Sequence, residues 1–554
     1  MRTPLLFAAL SACLLSACYS AGDGQPPPLN SLYFPTGLAL DALPAADASK
    51  PDRAAHLYVA SSDFDLQYRA SALVAYDLDQ LSALLPQSCN SDYDCGGKVC
   101  DNGDHRDDSP DPSFLCGGGA SPCGDLREHS AADLLLYPGR CGSVDLTRHP
   151  EVIADTVQIG AFATDVIFRR LPDDMGADLR AGRLFLPVRG DATLHWVDIQ
   201  PTAPRLLDCG QANTSDNSCD GRHRIGDDAG TESVNRLRQE PEPFAIAIDD
   251  RAENVVITNQ TTGSVSLYAN HWEEGATPKL TSILTGLPTA PVGIAAVPTP
   301  QSPGDHYEPG FLVVYKNAPE VDLLRVHDAS SDLAPNSGSY TPRVLTRAGA
   351  VAISANSIGS DSRGIAIDDT QRKKDYAACD LKCGGDGTCL LACDQAVHQP
   401  SVYVSNRAPA SLLVGALTAD FGYASGTSEL PSFSDSLPLT VGASRVVLGK
   451  VRVPGATYTD DAGVGYDLEQ RVFVVCFDSR RVYIYDPGRR TFDSIVKTGR
   501  GPFALAIDEA RGLGYLAHFT DSYLGVISLD QRFPKNYASI IGSVGVPSPP
   551  RASK

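Results

Sequence analysis

The chain has 554 residues, of which 42% are hydrophobic and 20% charged, and its formal net charge is -21. That length is several times what a single hydrophobic core needs. The acidic balance, with no basic cluster anywhere, argues against nucleic acid and anionic lipid surfaces as partners, because both need Lys and Arg to neutralise phosphate.

At the N-terminus Arg2 gives a short positive start and Leu5 to Leu15 an apolar run. This run is too short to span a bilayer and has the layout of an export signal. It closes on Leu15-Ser16-Ala17-Cys18; Leu10-Ser11-Ala12-Cys13 fits the same pattern but leaves too little apolar core ahead of it. The Leu-Ser-Ala-Cys ending resembles the lipobox of bacterial lipoproteins. The resemblance implies that residues 1–17 are a signal peptide and that Cys18 becomes the acylated first residue, attached to a membrane through its lipid. Tyr19 stands where inner-membrane retention would favour Asp, which points to the outer membrane. An ordinary secretory signal is the alternative. Residues 18–34, with Ala21-Gly-Asp-Gly-Gln-Pro-Pro-Pro28, read as a tether, and no later stretch is long and apolar enough for a membrane helix.

From Pro35 a unit recurs: Pro or Gly and a short apolar segment ending in Asp, then a β-rich segment ending in a polar turn, then another short strand. Pro35-Thr-Gly-Leu-Ala-Leu-Asp41 leads to Leu57-Tyr-Val-Ala-Ser-Ser62 and Leu73-Val-Ala-Tyr-Asp77. Asp165-Val-Ile-Phe leads to Leu184 to Arg189, Pro243-Phe-Ala-Ile-Ala-Ile-Asp249 to Val255-Val-Ile-Thr-Asn259, and Pro291-Val-Gly-Ile-Ala to Phe311 to Asn317. Arg363-Gly-Ile-Ala-Ile-Asp368 leads to Val402-Tyr-Val-Ser-Asn406, Val464-Gly-Tyr-Asp467 to Val472 to Asp478, and Pro502-Phe-Ala-Leu-Ala-Ile-Asp508 to Gly514-Tyr-Leu-Ala517. Seven copies of such a unit predict an all-β fold, a seven-bladed β-propeller of four-stranded blades over residues 35–545. Small residues in the first strand suit the crowded axis, and β-branched and aromatic residues in the second suit burial on both faces. No long stretch has a helical period. A shared closing strand is not evident, since the first unit begins with an inner strand and Tyr537 to Val544 can serve as the last outer one.

Two segments interrupt the blades, 86–145 in the first and 376–399 in the fifth, and residues 546–554 read as a disordered tail. Twelve cysteines fall in even local clusters: Cys89, Cys95, Cys100, Cys116, Cys123 and Cys141; Cys209 and Cys219; Cys379, Cys383, Cys389 and Cys393. In an exported chain this predicts disulfides, although Cys379-x3-Cys383 and Cys389-x3-Cys393 have spacings that zinc could use. Cys476, inside Val-Phe-Val-Val-Cys-Phe, reads as a buried small hydrophobe. The acidic run from Cys89 to Cys95 lacks the spacing of an EF-hand loop.

The units resemble the YVTN/NHL type of bacterial propeller repeat, Pro-x-Gly-x-Ala-x-Asp followed by Tyr-Val-x-Asn, most closely at Pro243 to Tyr268. That resemblance bears on fold rather than function, since such folds carry binding proteins, lactonases and other hydrolases. No Gly-x-Ser-x-Gly, His-Glu-x-x-His or phosphate-binding glycine loop is present. His195 reads as a packed strand residue, and His518 as a weak candidate near the axis. The polar residues that end the second strands, Ser62, Arg189, Asn259, Asn317, Asn406, Asp478 and Asp521, are expected to ring one mouth of the channel. In lactonases of similar architecture a cation sits there and activates water, so calcium is the cofactor to consider; here the ring is mostly amide and Arg189 opposes it. Turn chemistry explains the same residues more simply. The expectation is a monomeric, non-catalytic envelope lipoprotein without cofactor, binding an envelope protein or glycan, with a metal-dependent lactonase-type hydrolase as the alternative.

Overall fold

The computed structural model describes residues 24–548 apart from 44–49, 102–113, 118–122, 124–125, 127–128, 130–135, 140, 172–180, 202–203, 227–236, 273–275, 300–307, 329–342, 354–360, 395, 419–429 and 461. Cys13, Cys18 and the tail beyond Ser548 therefore lie outside the described residues.

Seven antiparallel sheets follow one another along the chain, each laid down inner strand first. From inner to outer strand, blade 1 runs from Pro35–Leu43 to Ile153–Ile159, blade 2 from Ile167–Arg170 to Leu207–Asp208, blade 3 from Pro243–Ile248 to Lys279–Leu284, blade 4 from Pro291–Ala296 to Arg343–Ala352, blade 5 from Ser362–Asp368 to Pro431–Pro438, blade 6 from Ala443–Thr459 to Thr491–Lys497 and blade 7 from Pro502–Asp508 to Ile540–Val544. Neighbouring inner strands pack on one another around the ring, that of blade 7 on that of blade 1, except that the inner strand of blade 3 packs mainly on the second strand of blade 2. The chain is a seven-bladed β-propeller, as the repeats predict.

The second strands show why the ring holds. Asn254–Asn259 and Gly310–Tyr315 are buried along their whole length, since each lies between two neighbouring blades. Seven apolar clusters fill the seven interfaces, for example Val451, Phe473 and Ile484 of blade 6 against Leu505 and Leu516 of blade 7. Each such side chain contributes about 1.5–3 kcal/mol on burial. Close approach at the axis needs glycine: a Cβ on Gly37 would stand 2.6 Å from the backbone nitrogen of Val166, and one on Gly364 2.7 Å from that of Val446.

Among the described residues no blade is built from strands of both chain ends in the usual closing manner; blade 1 takes all four of its strands from residues 35–159 and blade 7 its first four from 502–544. The seam is closed instead by the cysteine-rich insertion. Its Ser143–Val144 adds a fifth, parallel strand to the outer edge of blade 7, and the hydroxyls of Ser143 and Ser543 meet at 2.7 Å. The Phe114 nitrogen donates to the Asn536 side chain at 2.9 Å, and Leu115, Cys123, Leu126 and Val144 complete the apolar cluster between blades 7 and 1.

All twelve clustered cysteines are paired: Cys89–Cys100, Cys95–Cys116, Cys123–Cys141, Cys209–Cys219, Cys379–Cys393 and Cys383–Cys389. Zinc is thereby excluded from the last four, whose sulfurs are consumed. Cys476 is free and buried, and burial pushes its thiol up to about 11. The blade 5 insertion departs from the expectation of a loop. It forms two helices, Thr370–Cys383 and Gly387–Asp394, stapled into a hairpin by its two disulfides. The first helix buries only Arg372 and Cys379, so it carries no apolar stripe by which its period could be read.

The two faces of the ring differ. On one, here the mouth face, lie the starts of the inner strands and the turns between second and third strands. From the opposite face emerge the helical hairpin, the start of the cysteine-rich insertion and the overlong hairpin of blade 6, whose strands Ala443–Thr459 and Gly465–Cys476 run well past their neighbours.

Candidate functional site: the channel mouth

One backbone hydrogen bond repeats around the mouth in all seven blades. The residue at or just past the end of each second strand donates its N–H to the carbonyl of the connector entering the same blade: Ser62 to Phe34 (3.0 Å), Arg189 to Phe162 (3.0 Å), Gln260 to Glu242 (3.0 Å), Lys316 to Ala290 (2.9 Å), Arg407 to Asp361 (2.7 Å), Phe477 to Gly442 (2.8 Å) and Phe519 to Gly501 (2.8 Å). Phe34, Phe162, Glu242, Ala290, Gly442 and Gly501 hold a positive φ there, between 43° and 90°.

This bond defines which residues occupy equivalent places, and the residues expected to form one ring do not. Asn259 and Asn406 sit opposite the first residue of their inner strand, Ser62 and Arg189 one position further, Asn317 and Asp478 two, and Asp521 three. Asn259 is wholly buried, donating to the hydroxyls of Ser264 (3.0 Å) and Ser266 (2.9 Å). Asn406 accepts from the Asp361 nitrogen at 3.4 Å, and Asn317 reaches the Thr289 hydroxyl at 3.5 Å from an exposed position.

The axis itself is crossed by two residues that the repeat pattern does not single out. In the layer of Gly37, Ala245, Gly293, Gly364 and Ala504, blades 2 and 6 carry Asp165 and Arg445 instead. Arg445 Nη1 donates to both carboxylate oxygens of Asp165 at 3.0 and 3.1 Å, and Nη2 to the Thr164 carbonyl at 3.3 Å. The Arg445 guanidinium also lies 4.8 Å over the ring of Phe503. Their only signal in the sequence is a charge where the other copies have Gly or Ala.

Four further carboxylates around the mouth also have their own arginine: Glu242 with Arg189 (2.6 Å), Asp361 with Arg363 (3.0 Å), Asp478 with Arg407, and Asp521 with Arg500 (3.0 Å). The Thr261 hydroxyl, and after it Arg189, hold the Glu242 carboxyl below its ordinary value against its partial burial. A divalent cation needs several unpaired oxygens converging on one point. With a guanidinium on every one of these five carboxylates, the donor set does not suit calcium. His518 is fully enclosed, stacked on Tyr523 at 4.1 Å with Nδ1 at 3.1 Å from the Leu516 carbonyl; burial pushes it down to about 3, so it is neutral. His195 is buried too, with Nε2 at 3.5 Å from Asp191.

Phenylalanines surround half of the mouth. Phe162, Phe64, Phe34, Phe519, Phe503 and Phe477 form one chain of rings across blades 2, 1, 7 and 6, with successive centroids 5.2–6.5 Å apart.

No family model matches the chain, and no curated protein matches it in sequence. Among solved structures it is similar to a Lactobacillus plantarum protein at 12% identity, covering 86% of this chain and 87% of that one with a TM-score of 0.37. It is also similar to two proteins provisionally named 6-phosphogluconolactonase. One is from Bacteroides uniformis (10% identity, 82% and 88% covered, TM-score 0.39). The other is from Bacteroides fragilis (11% identity, 72% and 88% covered, TM-score 0.41). The fold assignment rests on the sheet topology, not on these likenesses.

Proposed function

We propose that the protein is an exported lipoprotein, acylated at Cys18 and held at the outer membrane, whose monomeric propeller of YVTN/NHL-like repeats works as a non-catalytic binding module for an envelope protein or glycan. The observation that carries this reading is the Arg445–Asp165 pair across the axis. A hydrolase of the lactonase kind would present free acids converging on the mouth; here the central position belongs to a guanidinium, which repels a cation and fills the space a substrate would need.

The binding surface belongs on the opposite face, where the insertions stand on a rigid scaffold. A groove of about 1060 Å³ lies there, walled by the blade 6 hairpin, blade 7 and the cysteine-rich insertion, with Arg53, Asp79, Arg452, Tyr466, Arg511 and Arg532 among its lining. Its volume stands just above the roughly 300–1,000 Å³ usual for small-ligand sites. Metal analysis of the purified full chain, together with a panel of lactone substrates, tests the reading. The expected result is no stoichiometric cation and no turnover. A bound cation that is lost in Asp478→Ala, or hydrolysis of any lactone, overturns it.

A further inference from the structure

The mouth face carries a group of exposed apolar side chains beside the end of the tether. Phe64, Leu66, Val441 and Val546 are 55%, 40%, 65% and 58% exposed, and all four lie on it, in or beside blades 1, 6 and 7. They are not scattered. Phe64 is a member of the six-phenylalanine chain; Val441 precedes Gly442, whose carbonyl accepts from Phe477. Val546 and Phe34 line one shallow pocket. Leu66 and Phe64 share one turn, closed by the Leu66 nitrogen on the Asp63 carbonyl at 3.2 Å. Exposed apolar side chains gathered on one face of a chain of net charge -21 mark a contact surface.

The N-terminal tether ends on this same face. Gln25 lies beside Tyr68 in the turn between the second and third strands of blade 1, and its carbonyl accepts from the Arg69 nitrogen at 2.9 Å. Gly24 is the sixth residue after Cys18, a reach of about 20 Å when fully extended. A lipid on Cys18 therefore meets the bilayer close to the patch and far from the insertions, which leave the ring on the other side.

We propose that the mouth face rests on the lipid bilayer, with Phe64, Leu66, Val441 and Val546 entering its interfacial zone and the insertion-bearing face turned outward. This rests on the reading that Cys18 is acylated. The lipid surface is zwitterionic, because the net charge of -21 opposes anionic headgroups.

The test uses full-length protein purified from membranes, its acylation verified by mass, in phosphatidylcholine vesicles with brominated acyl chains. Three variants each add one tryptophan: Phe64→Trp and Val441→Trp on the mouth face, and Leu381→Trp on the helical hairpin. The background comes from Trp196 and Trp272, which the parent also carries. Bromine quenches tryptophan only at contact range. The added emission is expected to be blue-shifted and largely quenched at positions 64 and 441 and unchanged at 381. Protein that floats with the vesicles yet shows no quenching at either mouth-face position overturns the docking while leaving acylation intact; the face then serves a protein partner. Protein that carries no acyl group and does not float overturns both readings.

Discussion

Arg445 of blade 6 and Asp165 of blade 2 meet across the ring axis, joining two blades 280 residues apart in sequence. Each is less than a quarter exposed, so neither charge is freely solvated. Arg445→Ala leaves Asp165 uncompensated and is expected to cost about 1–3 kcal/mol, read from the urea midpoint. Arg445→Met combined with Asp165→Asn should recover most of that loss, because the pair offsets much of its own desolvation. Equal midpoints for the single and double variants would remove the pair from the account of what holds blades 2 and 6.

The close approach of inner strands makes a sharper steric claim. A Cβ at Gly364 meets the backbone of Arg445 and Val446 within 3.0 Å, and backbone cannot swing aside as a flexible side chain does. Gly364→Val is expected to lower stability by about 1–3 kcal/mol or more. Gly387→Ala, where nothing lies within 4 Å, should leave the melting temperature unchanged.

The disulfides differ in what they guard. Replacing Cys123 and Cys141 by Ser opens a loop of 18 residues and should cost about 3 kcal/mol. Because that loop feeds the fifth strand of blade 7, hydrogen exchange should quicken in Ile540–Val544. Removing Cys209–Cys219 should cost a similar amount and leave blade 7 exchange untouched, since that bridge lies at the outer edge of blade 2.

Two buried groups set opposing pH dependences. Burial pushes Asp63 from 3.8 up to about 7, so between those values the folded state binds the extra proton and stability falls as pH rises. Asp63→Asn should therefore match the parent below pH 4 and exceed it above pH 7, by about 1–3 kcal/mol. His518, pushed from 6.5 down to about 3, acts oppositely: the unfolded chain binds the proton first, and stability falls as pH drops through that window. His518→Phe should lose that acid-side decline in a melting series from pH 7 to 4.

The blade count was legible because most copies carry an inner strand such as Pro243 to Ile248, whose register against the second strand fixes the unit; in blade 6 the segment read as the first strand, Val464 to Asp467, belongs to the start of the second, Gly465–Cys476, and the inner strand is Ala443–Thr459. Disulfide pairing within each cluster was legible from the even, local grouping of the cysteines, but its connectivity was not, since spacing alone leaves several schemes open. Cys379 and Cys383 stand four apart, as do Cys389 and Cys393; that spacing puts each pair on one helix face and was the main trace of a hairpin whose first helix is polar nearly all round and whose second, Gly387–Asp394, is too short to show a period. The mouth was less legible. Asn317, Asp478 and Asp521 fell at different places in turns of the same four-residue length as the one after Asn259, and so out of its layer, and the axial pair lay at positions where the repeat pattern expects small residues.

The seam between first and last blades has a temporal consequence. Phe114 and Asn536 are 422 residues apart, and Ser143 and Ser543 are 400 apart. A chain that emerges from its N-terminus must keep the apolar side of blade 1 unpartnered until nearly everything else has arrived, and contacts of such separation form late. Completion of the ring therefore waits on the final fifty or so residues, which makes the newly emerged, still open form the species most in need of protection from proteases and from its own neighbours.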